Sequence, residues 1–146
     1  MESMDELGFN FGIHIDRTGR KGHTLLARMF IKNKVDLTPY QWTILNLVYK
    51  DEGKSQAEIA EKSLRNTASV SRILNVMIKK NLIIREVNTT DKREYHIKST
   101  KLGKLTWKKA TIVVKEYRKM GWKGLDDKDY HHFRRILKKL SKNLEG

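Results

Sequence analysis

Small and polar side chains share one face of a helix predicted to begin at Asn66 or Thr67. The opposite, buried face is marked by apolar residues at the i, i+3, i+4, i+7 spacing: Val70, Ile73, Leu74 and Met77. Short side chains let a helix backbone approach the base edges in a major groove, and an arginine can pair with guanine there. The pattern predicts a helix that reads duplex DNA through these residues: Asn66, Thr67, Ala68, Ser69, Ser71 and Arg72.

A polar hairpin tip supplies a second set of candidates. Apolar, β-branched and aromatic residues predict strands at 82–87 and 95–98. The segment between them contains Thr89, Thr90, Asp91, Lys92 and Arg93. A long cation at such a tip can extend into the minor groove, whose negative potential is strongest where A·T-rich sequence narrows it. Asp91 is close enough in sequence to orient the Arg93 guanidinium through hydrogen bonds; the alternative is an ordinary turn aspartate beside a solvated arginine.

Cap and stop patterns define the elements that must carry these residues. Ser55 and Glu58 have the spacing of a capping box, which predicts a short helix before the DNA-reading one. Asn81 follows two lysines and can take the left-handed conformation that ends a helix. Helix, turn, helix and hairpin in this order predict a winged helix-turn-helix over residues 37–99. Four further polar residues of this region are candidates for contacts to the DNA backbone: Ser55, Gln56, Arg65 and Lys79.

The distribution of charge favours a polyanionic partner. The chain has 31 Lys and Arg against 17 acids. Residues 62–109 hold 13 basic and 3 acidic side chains, whereas residues 1–61 hold 8 and 9. Positive charge is therefore concentrated on the predicted DNA-reading elements, which favours double-stranded DNA as the partner. A solvated lysine-rich surface is the plain alternative, and a membrane surface ranks lower because the basic segment is not one long amphipathic helix.

Composition bounds the remaining possibilities. Without cysteine the chain has no disulfide, thiolate zinc site or thiol redox switch. We find no apolar stretch of about 18 residues and no N-terminal signal pattern, so we expect a cytoplasmic protein with no membrane partner. The length predicts about one domain. We therefore expect a single, mainly α unit over residues 1–146, with a small β-hairpin wing.

Amphipathic helices are predicted on both sides of the winged helix-turn-helix. The first spans about residues 9–33; Gly12, Gly19 and Gly22 weaken this prediction, and a break near Gly19 is the alternative. Two later helices, about 101–121 and one capped by Asp126, carry these apolar stripes: Ala110, Val113, Val114, Tyr117 and Met120, then Tyr130, Phe133, Ile136, Leu137, Leu140 and Leu144. We interpret residues 9–36 and 100–146 as terminal dimerisation helices of a homodimer. The alternative is that they complete a monomeric core.

The order of the motifs resembles the MarR family of transcriptional regulators over residues 9–146. The residues that carry the resemblance are Leu37-Thr38-Pro39-Tyr40-Gln41, Gln56-Ala57-Glu58-Ile59-Ala60, Ser69-Val70-Ser71-Arg72, Asp91-Lys92-Arg93 and Thr100-Lys101-Leu102-Gly103. The resemblance implies a homodimer whose recognition helix enters the major groove, whose wing arginine enters the minor groove, and whose DNA affinity is often lowered by a bound ligand. Leu64 and Asn81 depart from the family, which often has glycine at both positions.

Other chemistry is weakly supported by the sequence. His131 and His132 are adjacent and would point about 100° apart on a helix, a poor chelating pair, so we expect no metal. No catalytic triad order or phosphate-cradling glycine loop is present, so we expect neither an enzyme nor a cofactor. His14 and Arg17 of the first helix, with Trp42 and Trp107, are candidates for binding a small anionic or aromatic ligand. Surface positions for the histidines and core positions for the tryptophans are the alternatives.

Two classes of function follow from these patterns. The first is a DNA-binding transcriptional regulator, a repressor that binds a palindromic operator as a homodimer and is released by a small ligand. The second is a basic architectural or RNA-binding winged-helix protein without a defined operator. The ratio of specific to random DNA affinity separates the two classes, since both bind tightly at low salt.

Overall fold

Helices form most of the chain, and a small sheet lies among them. The computed structural model describes residues 3–63 and 65–146, with the backbone alone described for residues 4–9. The elements are α1 Met4–Lys32, α2 Pro39–Lys50, β1 Lys54–Ser55, α3 Gln56–Lys62, α4 Thr67–Lys79, β2 Ile83–Val87, β3 Tyr95–Ser99, α5 Lys101–Gly121 and α6 Asp127–Leu144. This order confirms the predicted fold class. None of the helices in the described part of the chain is long and apolar enough to cross a membrane.

The starts of the helices follow from side chains that cap them. Thr38 and Gln41 form a complete capping box at the start of α2, where Pro39 supplies a preset φ angle. Ser55 and Glu58 do the same for α3. The later helices begin at three capping side chains: Asn66 for α4, Thr100 for α5 and Asp126 for α6. Each cap satisfies a backbone N–H that has no partner within its helix.

The first helix is continuous, and it begins before the predicted residue 9. It runs from Met4 to Lys32 without a break at Gly19. Gly22 faces α5 of the same chain, where an added methyl group would lie 2.5 Å from the Tyr117 hydroxyl oxygen. The glycine therefore leaves room for the Tyr117 side chain of the same protomer against α1.

The sheet contains a strand that the sequence analysis did not predict. Its order is β1-β3-β2, with both pairs antiparallel. β1 has two residues, Lys54 and Ser55, which lie opposite Ile97 and His96. A two-residue strand is too short to show an alternating pattern, and it forms only because β3 offers it a free edge. The pairing joins the root of the hairpin to the start of α3.

One apolar core joins the winged helix-turn-helix to parts of both terminal segments. Leu26 and Phe30 of α1 and Val114 of α5 are buried together with residues of α2, α3 and α4. The predicted stripe at Ala110 and Val113 therefore packs inside the protomer, so it is not available to a partner chain. The C-terminal half of α1 and the middle of α5 therefore also belong to the core of the protomer, and the division into a DNA-binding part and dimerisation helices stays a prediction.

The last helix is exposed in the single chain. All of its residues are described, and none is buried, although its apolar stripe was expected to line a buried side. Phe133 is 49% exposed and Leu144 74% exposed. Trp122, in the turn before α6, contacts the rings of Tyr130 and Phe133 edge-on, at 5.2 and 6.1 Å between centroids. The stripe is thus largely uncovered within the protomer.

Candidate nucleic-acid interface

The recognition helix α4 presents the predicted polar face to solvent. Its opposite face packs into the core through Val70, Leu74 and Met77, all fully buried. The residues predicted to contact bases fall into two groups: Thr67, Ala68 and Arg72 are exposed, whereas Ser69 and Ser71 are half-buried. The side chains on the N-terminal half of this face are short, so the base edges of a major groove can come close to the helix backbone.

The two ends of α4 are fixed by local hydrogen bonds. The Asn66 side-chain oxygen accepts a hydrogen bond from the Ser69 backbone N–H at 2.8 Å. This cap uses one of the two acceptor positions of the Asn66 oxygen, and the amide N–H₂ group faces no such demand. At the other end Asn81 has φ +57°, the left-handed conformation predicted for it. Leu64, the other departure from the family pattern, lies outside the described residues.

The wing tip is held by side chains that bond to backbone. The Asn88 side-chain oxygen accepts from both the backbone N–H and the hydroxyl of Thr90, at 3.0 and 2.7 Å. The Asp91 carboxylate accepts from the Arg93 backbone N–H at 3.0 Å. This bond fits the alternative of a turn aspartate in the free protein, and the orienting of the Arg93 guanidinium by Asp91 on DNA stays a prediction. Thr89, Lys92 and Arg93 are exposed.

Charged side chains lock the root of the wing to the helices beside it. Glu52, after α2, accepts from the Ser99 hydroxyl at 2.7 Å and pairs with Lys104 of α5 at 3.2 Å. Lys98 and Glu86 form an ion pair between β3 and β2 at 2.7 Å. The hydrogen bond from Ser99 and the nearby lysines lower the pKa of Glu52 below its usual range. The network ties the root of the wing to α5 and to the segment that follows α2.

We expect Glu52→Gln to destabilise the protein at neutral pH but not in acid. A carboxyl group whose pKa is lowered by folding stabilises the folded state above the unfolded pKa of 4.5, and this contribution disappears as the pH falls through the lower folded value. Because Glu52 is partly exposed, the difference should stay below about 1 kcal/mol. Thermal unfolding at about pH 7 and about pH 3 measures it. Glu61→Gln, at an exposed position of α3, is the control. An equal loss at both pH values would contradict the role of the Glu52 charge.

The predicted backbone contacts occupy different surroundings. Ser55 is buried, and its hydroxyl accepts from the Glu58 N–H as a helix cap, so we remove it from the set of DNA contacts. Gln56 is half-buried and Lys79 exposed. Lys79 lies twelve residues along α4 from Thr67, roughly 18 Å away. It can reach a phosphate but does not belong to the base-contacting end.

Arg65 makes a contact that the sequence did not indicate. Its guanidinium carbon lies 3.5 Å from the centroid of the Tyr40 ring, and the His23 ring lies 4.5 Å from the same ring. These residues come from α1, α2 and the segment before α4, so no periodic pattern links them. Tyr40 is thus a residue of this surface that the sequence analysis missed.

The two tryptophans proposed for ligand binding lie between α2 and α5. Trp107 stacks on Tyr49 at 3.7 Å between ring centroids, and its indole N–H donates to the Asn46 side chain at 3.0 Å. Trp42 lies 5.8 Å below the Arg118 guanidinium, and its indole nitrogen is buried without a hydrogen-bond partner in the described residues. The Trp107 indole N–H therefore has an acceptor within the protein, whereas the Trp42 indole N–H has none among the described residues.

His14 and Arg17 lie far from Trp107. The C-terminal end of α1 lies beside the middle of α5, and Gly22 faces Tyr117, so the two helices run antiparallel. His14 precedes Gly22 by about 12 Å, and Trp107 precedes Tyr117 by about 15 Å in the opposite direction. The structure thus does not bring the four predicted ligand residues into one cavity. Within the described residues no cluster of three metal-ligating side chains occurs either.

The winged helix-turn-helix part of the chain is similar to known proteins. Residues 35–94, which include α2, α3, α4 and the wing, match the model of the MarR family. A mutant of MarR from E. coli, solved in complex with operator DNA, shares the fold with a TM-score of 0.84 and 19% identity over 95% of this chain and 99% of that one. The chain therefore matches the MarR family model over these residues and shares the fold of that regulator. Its wing and α4 lie in the region that the family model matches.

Two further solved structures resemble this chain over nearly its whole length. A protein of unknown function from Listeria innocua is 28% identical, with a TM-score of 0.69 and 96% of each chain covered. CouR from Rhodococcus jostii, solved with p-coumaroyl-CoA, is 18% identical, with a TM-score of 0.79, 92% of this chain and 93% of that one covered. No curated protein matches the sequence significantly.

Proposed function

We propose that this chain is a transcriptional regulator of the MarR type, a repressor that binds a palindromic operator as a homodimer and is released by a small ligand. The observation that carries the proposal is the exposed polar face at the N-terminal end of α4, backed by a buried apolar face and flanked by a basic wing. The relative from E. coli was solved on operator DNA. This geometry suits base recognition in the major groove with the wing on the adjacent backbone or minor groove.

The proposed contacts divide by their type. Arg72 and Ser69 would contact base edges, with Thr67, Ala68 and Ser71 lying against the groove. Gln56, Arg65 and Lys79 would contact phosphates, which set register but carry no sequence information. Mapping the bound sites across the source genome tests the whole proposal. Recurrent palindromes with half-sites about one helical turn apart would support it, whereas binding spread without a shared sequence would favour the architectural alternative.

The wing gives a direct prediction. Arg93→Ala should lower affinity for specific and random DNA alike and reduce the salt slope by roughly one unit, because one cation contact to DNA is lost. Arg93→Lys should restore the charge but only part of the affinity, since lysine lacks the planar fork. Lys123→Ala, an exposed cation in the turn between α5 and α6, is the control. Full affinity of Arg93→Ala at physiological salt would remove the wing from the interface.

The proposed dimer uses the surfaces left open on α6 and the N-terminal half of α1. On α1, Phe11, Ile13 and Ile15 are exposed, and α6 exposes its apolar stripe. Large apolar surfaces of this kind mark association sites on proteins that otherwise expose few of them. A second copy would cover both surfaces and relate two α4 helices by a two-fold axis.

The proposed ligand site lies along α1. A groove of about 520 Å³ there is lined in part by Arg17, Arg20, Lys21 and Arg28, and by Asp16, which pairs with Arg20 at 3.0 Å. The net positive charge of this lining suits an anionic ligand. The relative CouR was solved with p-coumaroyl-CoA, which carries an aromatic group and phosphates. A ligand that prefers the arrangement unable to bind DNA would lower operator affinity by its differential affinity for the two arrangements.

Titration of the operator complex with aromatic acids tests this control. We expect an active compound to lower operator affinity, and Arg20→Ala together with Lys21→Ala to weaken that response while the basal affinity stays within about twofold. A flat response to every aromatic acid would contradict release by this class of ligand.

A further inference from the structure

The Tyr40 ring contacts the Arg65 guanidinium and the His23 ring, which come from other parts of the chain. It lies in the first turn of α2 and is 45% exposed. The Arg65 guanidinium lies 3.5 Å above its ring, and the His23 ring of α1 lies 4.5 Å away at an angle of 41°. Arg65 immediately precedes Asn66, the cap of the recognition helix. The Tyr40 ring therefore links α1 to the segment that leads into the DNA-reading helix.

The stack leaves Arg65 able to bind an anion. A cation on an aromatic ring uses the flat face of the guanidinium and leaves the N–H groups at its edge free to donate. No carboxylate within the described residues lies at ion-pair distance from Arg65. The guanidinium borders a cavity of about 470 Å³ whose walls carry hydroxyl and amide groups: Tyr40, Thr43, Ser63, Arg65, Asn66 and Ser69.

We propose that Tyr40 is a positioning residue for DNA binding: its ring holds the Arg65 guanidinium in place to bind a phosphate beside the start of α4. A long arginine side chain that is ordered before binding loses less rotational freedom when it binds. Contact with His23 limits rotation of the Tyr40 ring away from Arg65. The inference rests on the proposed function, because it requires DNA to lie against the N-terminal end of α4.

The test compares five variants on the mapped operator duplex over a range of salt concentrations. Arg65→Ala should lower affinity about tenfold and reduce the salt slope by about one unit. Tyr40→Leu should lower affinity about threefold, and Tyr40→Phe, which keeps the ring, should stay within about 1.5-fold of the wild type. Tyr40→Leu should cost nothing further in the Arg65→Ala background, because the residue acts through Arg65. Tyr40→Gln is the fifth variant and should resemble Tyr40→Leu; thermal unfolding checks that all five fold.

The outcomes separate the inference from the proposed function. Unchanged affinity and salt slope in Arg65→Ala would show that Arg65 is not a phosphate contact, which contradicts that part of the proposed function. A loss in Arg65→Ala with no loss in Tyr40→Leu and Tyr40→Gln would overturn the positioning role alone. So would a loss from Tyr40→Leu that persists in the Arg65→Ala background, since that loss would come from the fold of α2.

Discussion

Ile136→Glu combined with Leu144→Glu should convert the protein to monomers and remove operator binding at concentrations where the wild type binds fully. In the single chain Leu144 is 74% exposed and Ile136 40% exposed, so the protomer should keep its fold. In the proposed dimer both would be covered, and an unpaired carboxylate buried there costs about 3–5 kcal/mol. The two-fold axis repeats each substitution, so we expect the dimer dissociation constant to rise by more than about 100-fold.

Sedimentation together with operator titration measures this effect. Lys139→Gln combined with Lys142→Gln on the same helix changes the net charge by the same amount but leaves the apolar stripe intact, so it is the matched control. The control should remain dimeric. A wild-type chain that sediments as a monomer at micromolar concentration, or a double glutamate variant that stays dimeric, would contradict the proposed interface.

Arg72→Ala should cost about 1–3 kcal/mol of operator binding if Arg72 makes a bidentate contact with guanine. Arg72 is exposed on α4, one turn beyond Ala68, where the small side chain leaves room for a base edge. The loss should fall mainly on the specific site, because base contacts, unlike phosphate contacts, carry sequence information. Affinity for random DNA should fall less, because Arg72→Ala removes only the electrostatic contribution of one positive charge there.

Lys79→Ala is the matched comparison on the same helix. It removes one exposed cation at the other end of α4, so it should weaken specific and random DNA equally. Binding titrations on operator and random duplexes give the ratio of operator affinity to random-DNA affinity for each variant. If Arg72→Ala changes the two affinities equally, Arg72 is a phosphate contact and another residue of α4 reads the bases.

Features that depend on neighbours in the sequence could be predicted. The capping box at Ser55, the start of α4 at Asn66 or Thr67 and the left-handed Asn81 all involve residues within a few positions of one another, and the structure confirms each. The buried face of α4 was equally clear, because a long helix repeats its pattern several times. The fold class follows from the order of these local features.

Features that depend on distant contacts could not be predicted. The stack of Arg65 on Tyr40 joins residues that no spacing rule relates, and strand β1 exists only because β3 is beside it. The Asp91 carboxylate could accept a hydrogen bond from the Arg93 guanidinium or from a backbone N–H of the turn. In the free protein it accepts from the Arg93 backbone N–H. Apolar stripes have the same ambiguity: the one on α5 is buried in its own chain, whereas the one on α6 is open.

The central claim is that the protein recognises a defined sequence, and the ratio of its affinities for operator and random DNA tests this most directly. The measurement uses the duplex found most often among the mapped genomic sites, competed against random duplex at about 150 mM salt. We predict that the operator binds at least about 1,000-fold more tightly. A ratio near one would contradict the account and would indicate a protein that binds DNA by charge and shape alone.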